Sequence, residues 1–289
     1  MLAVRPRIPL FVLLLWLLAS ACRPAAPRDP GIHQELIPHR DDPQKQVELL
    51  WARPDHDGRF PAIVYLHGHQ DGERPGGATF ATWGILARTA RSGAVALAVS
   101  QPGYGRSDGP PDYCGPFTQR AVETVLARIR TWPFVDPDKI AVYGVSRGAI
   151  VAAMLTTRDS RLAAAVLMSG TYDLGELYRR ISAPSETRFL LTAIAANLRH
   201  ETDASEEAFR ARSALAHAAT IRTPTLLLNG ALDDRFDPSS ARRLGAAILA
   251  NGVPAKVVVF PDLGHKIPIE VRGPEIVPFL ARHLGVALR

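Results

Sequence analysis

The chain has 289 residues, 47% hydrophobic and 21% charged, which is enough apolar content to bury a sizeable core and excludes disorder as the main state. Its formal net charge is +6, but the basic residues are almost all arginine and run along the whole length. A nucleic-acid binder would gather them in a stripe with interleaved aromatics, so the charge reads as a solvated basic surface on one globular domain with additions.

At the N-terminus, Arg5 and Arg7 precede the apolar run Leu10 to Leu18 and then Ala19-Ser20-Ala21-Cys22. A basic region, a short apolar stretch and a small-residue site in that order read as an export signal over residues 1–22, the run being short for a mature membrane span. A cysteine directly after small residues resembles the lipobox of bacterial lipoproteins, although Ala19 stands where leucine is more usual. That resemblance implies lipidation of Cys22 and a protein held at the membrane; the alternative is a secretory signal cleaved after Ala21. Both place the mature protein outside the cytoplasm. With Cys22 lipidated or removed, Cys114 has no disulfide partner, and the core must supply stability unaided. The proline-, alanine- and arginine-rich residues that follow, without apolar periodicity, read as a tether over 23–35.

Folding is expected from residue 36 to 289. Leu36 to Pro38 and Val47 to Ala52 read as an antiparallel pair turned through Asp41-Asp42-Pro43, with the Asp57-Gly58 turn leading onward. Strand-like runs then come at Ala62 to Leu66, Ala94 to Val99, Lys139 to Gly144, Ala163 to Met168, Thr225 to Leu228 and Lys256 to Phe260. Between them lie helix candidates at Thr118 to Arg130, Ala149 to Thr156 and Ser239 to Ala250, the last stopped by Asn251-Gly252. Strands that are apolar throughout need helices on both faces, and β-α alternation implies parallel neighbours. The expected architecture is therefore α/β, a doubly wound, mostly parallel sheet. Residues 172–221 break the rhythm and read as an insertion of two or three helices, either a small cap over the strand ends or a decoration with no role in the site.

Ile140-Ala141-Val142-Tyr143 runs into Gly144-Val145-Ser146-Arg147-Gly148 and then into the helix former Ala149-Ile150-Val151-Ala152-Ala153. This is G-x-S-x-G in a strand-turn-helix setting, where a serine is presented on a sharp turn. A hydroxyl is a weak nucleophile and needs that exposure and a neighbouring base, so Ser146 is the candidate nucleophile. An acyl-transfer site also needs N–H donors aimed at the developing oxyanion, and the Arg147 N–H at the helix start is one candidate. In this fold the acid and the histidine follow the serine in that order. Asn229-Gly230-Ala231-Leu232-Asp233-Asp234-Arg235-Phe236 puts carboxylates at a strand end, where Asp233 and Asp234 compete and Asp237 is more distant. Pro261-Asp262-Leu263-Gly264-His265 follows the last strand. Apart from His283 in the terminal helix, His265 is the one histidine after Asp233, which makes it the candidate base, with the aspartate orienting its ring.

These residues, with Val166-Leu167-Met168-Ser169-Gly170-Thr171-Tyr172-Asp173-Leu174, Thr223-Pro224-Thr225-Leu226-Leu227-Leu228-Asn229-Gly230 and Gly264-His265, resemble the α/β-hydrolase domain of prolyl oligopeptidase-like and dienelactone hydrolase-like proteins from about Pro61 to the C-terminus. The resemblance implies a serine hydrolase acting on small esters or peptides through an acyl-enzyme, without metal or organic cofactor. The family spacing counted from Gly230 selects Asp233. His67-Gly68 resembles the family's HG motif, which assigns a second oxyanion donor to His69, or to Gln70; the His67 side chain is expected to be structural. Two departures stand out. Fewer than forty residues separate Cys22 from Pro61, too few for the propeller of the oligopeptidases, so esters are expected over peptides. The glycine-rich run often found after HG is His69-Gln70-Asp71-Gly72.

Two rival readings remain. His67-Gly68-His69-Gln70-Asp71 spells the H-x-H-x-D of metallo-β-lactamase-like enzymes, but Gly72 stands where their next histidine belongs. A lipid-anchored binding protein that kept the fold and lost the chemistry would have shed at least one motif. Substrate choice, expected to reside in 172–221 and the loop from Tyr104 to Pro116, has no readable pattern.

Overall fold

The computed structural model describes residues 30–288; the expected export signal and Cys22 lie outside the described residues. One eight-stranded sheet runs through the molecule: β1 (His33–His39), β2 (Asp42–Ala52), β3 (Phe60–Leu66), β4 (Val95–Val99), β5 (Val135–Val145), β6 (Ala164–Met168), β7 (Thr225–Gly230) and β8 (Ala255–Phe260), in spatial order β1-β2-β4-β3-β5-β6-β7-β8. β1 and β2 form an antiparallel pair and β2 meets β4 antiparallel; every later pairing is parallel. β1 opens at His33, within the stretch expected as tether.

β3, β4 and β6 are buried along their whole length, which is why they carry unbroken apolar runs instead of an alternation. Helices cover both faces. α3 (Pro116–Ile129), α4 (Arg147–Thr156) and α8 (Ser239–Ala250) pack on one, and α1 (Ala78–Thr82), α2 (Ile85–Arg91) and α9 (Ile269–Leu284) on the other. Every residue of α4 is buried, consistent with a helix that is apolar all round.

The register keeps the strand ends level: Gly144 lies beside Leu66 and Leu167, Met168 beside Leu228, and Gly230 beside Phe260. Loops leaving β3, β5, β7 and β8 therefore open onto the same edge of the sheet. Between β6 and β7 the chain forms α5 (Leu174–Ile181), α6 (Phe189–Glu201), α7 (Glu206–Arg210) and a 3-10 turn over Ala214–Thr220. α5 starts under its own cap, the Asp173 carboxylate accepting the Glu176 N–H.

Candidate active site

The turn from β5 into α4 brings backbone unusually close to backbone. A Cβ on Gly144 would overlap the Gly148 carbonyl, and one on Gly148 would overlap the carbonyl of Leu66, so both positions of the motif need glycine for space. Ser146 between them has φ 54° and ψ −119°, a conformation that typically costs about 1–3 kcal/mol in a non-glycine residue. Its N–H donates to the Met168 carbonyl at 2.8 Å and its carbonyl accepts the Ala149 N–H at 2.9 Å, which hold the strained residue in place.

His265 reaches Ser146 from the loop after β8. The serine hydroxyl lies 2.9 Å from Nε2, and Nδ1 lies 3.0 and 2.8 Å from the two Asp233 oxygens. An ionised carboxylate only accepts, so Nδ1 carries the proton and Nε2 is left free to take one from the serine. The Asp233 side chain is fully buried, and its Oδ1 also accepts the N–H groups of Arg235 and Phe236 at 2.9 and 3.0 Å. Ser169 donates to the His265 carbonyl at 2.8 Å, and Phe236 meets the imidazole edge-on at 5.6 Å. Neither support was legible in the sequence. Asp234 points outward with its side chain 67% exposed, and Asp237 accepts the Ser239 N–H at the start of α8.

The loop after β3 runs beside the nucleophile: a Cβ on Gly68 would sit 3.0 Å from the Ser146 Cβ. The N–H groups of His69 and Arg147 have no backbone acceptor among the described residues, which leaves both available to an oxyanion. The Gln70 N–H, the other candidate, likewise has no backbone acceptor among the described residues; its side chain ties the loop to α1, accepting the Gly76 N–H at 2.7 Å and donating to the Thr79 hydroxyl at 2.9 Å. The buried His67 donates from Nδ1 to the Gly68 carbonyl at 2.8 Å and accepts the Gln101 N–H at Nε2 at 3.1 Å. Burial pushes its pKa down from 6.5 to about 4, so the ring is neutral and both nitrogens are used within the chain. The His69 ring turns instead to the Tyr104 hydroxyl and Asp71, and among the described residues no three His, Cys, Asp or Glu side chains converge as a metal site.

Arg147 carries a second feature that its motif does not announce. Its side chain is 8% exposed, its Nη1 donates to both Glu201 oxygens at 3.0 and 2.9 Å, and its guanidinium lies 3.9 Å from the centre of the Tyr113 ring. Burial works against the charge, but Tyr113 and Glu201 more than offset it, and the group stays protonated. Glu201 also accepts the Tyr113 N–H at 2.9 Å. Tyr113 and Cys114 both have left-handed backbone, and the Cys114 thiol donates to the Arg147 carbonyl. Arg212 donates to the carbonyls of Asp112 and Tyr113, so the insertion pins this loop from two sides.

The uncharacterized peptidase YuxL of Bacillus subtilis (strain 168) is 25% identical over 219 residues, 75% of this chain and 32% of that protein. The chain thus spans about a third of the length of the curated relatives it matches. Among solved structures, the esterase Pf2001 of Pyrococcus furiosus superposes with a TM-score of 0.67 at 18% identity, over 90% of this chain and 96% of its own. The acylaminoacyl peptidase of Pyrococcus horikoshii superposes with a TM-score of 0.65 at 17% identity, over 85% of this chain and 39% of its own. Both likenesses concern the α/β-hydrolase fold. The profile of the X-Pro dipeptidyl-peptidase (S15 family) matches residues 46–195, and that of the prolyl oligopeptidase family matches residues 121–285, the stretch that holds Ser146, Asp233 and His265. By that match over more than half of its length, and with a serine, an aspartate and a histidine in hydrogen-bonded series, the chain belongs to the prolyl oligopeptidase family of serine hydrolases.

Proposed function

We propose that the protein cleaves esters of small or medium acyl groups through an acyl-enzyme on Ser146. The observation that carries this reading is the imidazole of His265 held between the Ser146 hydroxyl and the buried Asp233. His265 takes the hydroxyl proton as Ser146 attacks the ester carbonyl and returns it to the leaving alcohol. Water then repeats the cycle on the acyl-enzyme. Asp233 keeps the proton on Nδ1 and stabilises the imidazolium. The N–H groups of Arg147 and His69 receive the negative oxygen, and one such donor is typically worth about 10² to 10³ in rate. The helices of 172–221 act as the cap of this site. Preference for esters is supported by the fold shared with an esterase of nearly the same extent; the peptidase name of the curated relative keeps short peptides as the second reading.

A fluorophosphonate probe is expected to label the wild-type protein and not Ser146→Ala. Short p-nitrophenyl esters are expected to be cleaved faster than aminoacyl anilides. No labelling, or equal labelling of the variant, would refute the nucleophile; the reverse substrate ranking would make the protein a peptidase.

Export and membrane anchoring through Cys22 belong to the same proposal and rest on the sequence of residues 1–22. Radioactive palmitate fed to an expressing bacterium should mark the wild type and leave Cys22→Ser unmarked. A labelled variant, or an unlabelled wild type in the soluble fraction, rules the anchor out.

A further inference from the structure

The pocket beside the nucleophile is lined by Gly68, Tyr104, Pro111, Tyr113, Arg147 and Glu201, and its free volume is about 10 Å³, room for roughly one water. Gly68, which packs against Ser146, and Arg147, the next residue in the chain, belong to its lining, and His265 does not. The leaving group departs where His265 must reach it, so this pocket belongs to the acyl half of the substrate. The Glu201 carboxylate, on the last residue of α6, forms part of its wall and is paired there with Arg147 Nη1.

An acyl group enters this pocket only as Glu201 withdraws. Withdrawal strips the buried Arg147 of the carboxylate it is paired with, and a neutral acyl group offers no compensation for an unpaired buried charge. A carboxylate on the incoming acyl group does: it replaces Glu201 like for like, on the same guanidinium and above the same Tyr113 ring. We propose that the substrate's acyl group bears its own carboxylate, and that Glu201 is an internal stand-in holding Arg147 until that carboxylate arrives. The substrate class is then the half-ester of a short dicarboxylic acid, with the free acid directed to Arg147 and the ester carbonyl to Ser146. This deepens the serine-hydrolase reading and rests on it.

The measurement is the ratio of kcat/KM for 4-nitrophenyl hemiglutarate to that for 4-nitrophenyl valerate, which differ in charge but share leaving group and triad. In Glu201→Gln the amide oxygen still accepts the Tyr113 N–H while the competing charge is gone, and the ratio is expected to rise about tenfold. In Arg147→Met it is expected to fall by about tenfold or more. Because each variant is compared with itself on two substrates, a general loss of fold or of oxyanion geometry cancels. A ratio within about twofold of wild type in either variant, or a shift in the opposite direction, overturns the proposal. Fluorophosphonate labelling of the same preparations separates the two possible failures. Unlabelled wild type defeats the hydrolase reading, whereas labelled protein with flat ratios defeats only the carboxylate pocket.

Discussion

Asp233 divides its accepting capacity between His265 Nδ1 and two backbone N–H groups with no side-chain surface exposed, while its neighbour Asp234 is 67% exposed and faces Arg235 at 3.9 Å. An asparagine at 233 presents an amide N–H where the ring N–H must donate, which favours the wrong tautomer of His265. Asp233→Asn is expected to lower kcat by about 10⁴ with KM little changed, and Asp234→Asn to leave both within about twofold. Steady-state kinetics on one p-nitrophenyl ester decides it, and a large loss in Asp234→Asn with Asp233→Asn near wild type would reverse the assignment. The spacing that singled out Asp233 has a physical origin at Gly230. A Cβ there would overlap the carbonyls of Leu263 and Gly264, so this glycine is what lets the His265 loop close down on the end of β7. No comparable mark points to Glu201, 54 positions from Arg147 in an insertion whose helical pattern does not say where its helices dock.

Among the elements, the unbroken apolar strands were legible because burial on both faces leaves no polar positions. Ser239 to Ala250 is helical at the bounds its periodicity and its Asn251-Gly252 stop predict. Two kinds of element escaped. α1 and α2 have five and seven residues, too few turns for a helical period to show. β5 begins at Val135, because Val135 pairs with Phe60 across Pro137 and turn-prone aspartates that read as a connection. The loop after β3 carries a pH dependence of its own. His67 has a folded pKa of about 4 against an ordinary 6.5, so the unfolded chain binds the proton more readily. Its contribution is fully present above about pH 6.5 and is lost as the pH falls toward 4, by at most about 3 kcal/mol. Urea midpoints measured between pH 7 and pH 4 should therefore fall more for the wild type than for His67→Gln. Parallel curves would place the acid sensitivity elsewhere.

For the molecule as a whole, the doubly wound sheet and the chain order of serine, acid and histidine followed from local patterns, since each functional loop leaves the end of a strand. The antiparallel pair β1 and β2 joins the sheet at β4, and this long-range choice is set by tertiary pairing. The same holds for the path of the insertion: α5 packs on α6 and α7, the 3-10 turn packs on α8 and α4, and Glu201 and Arg212 tie the insertion to the loop at Tyr113.

The Arg147–Glu201 pair also bears on how such a protein can change over time. An insertion that enters at one strand end and leaves at the next looks like an exchangeable module, replaceable without disturbing the chemistry beneath it. Here the module supplies the counter-charge for a residue inside the nucleophile motif. A helical segment grafted from a relative would have to bring a carboxylate to the same point, or arrive together with a replacement of the arginine. Divergence in the insertion and in the residue after the serine is thereby tied into a single step.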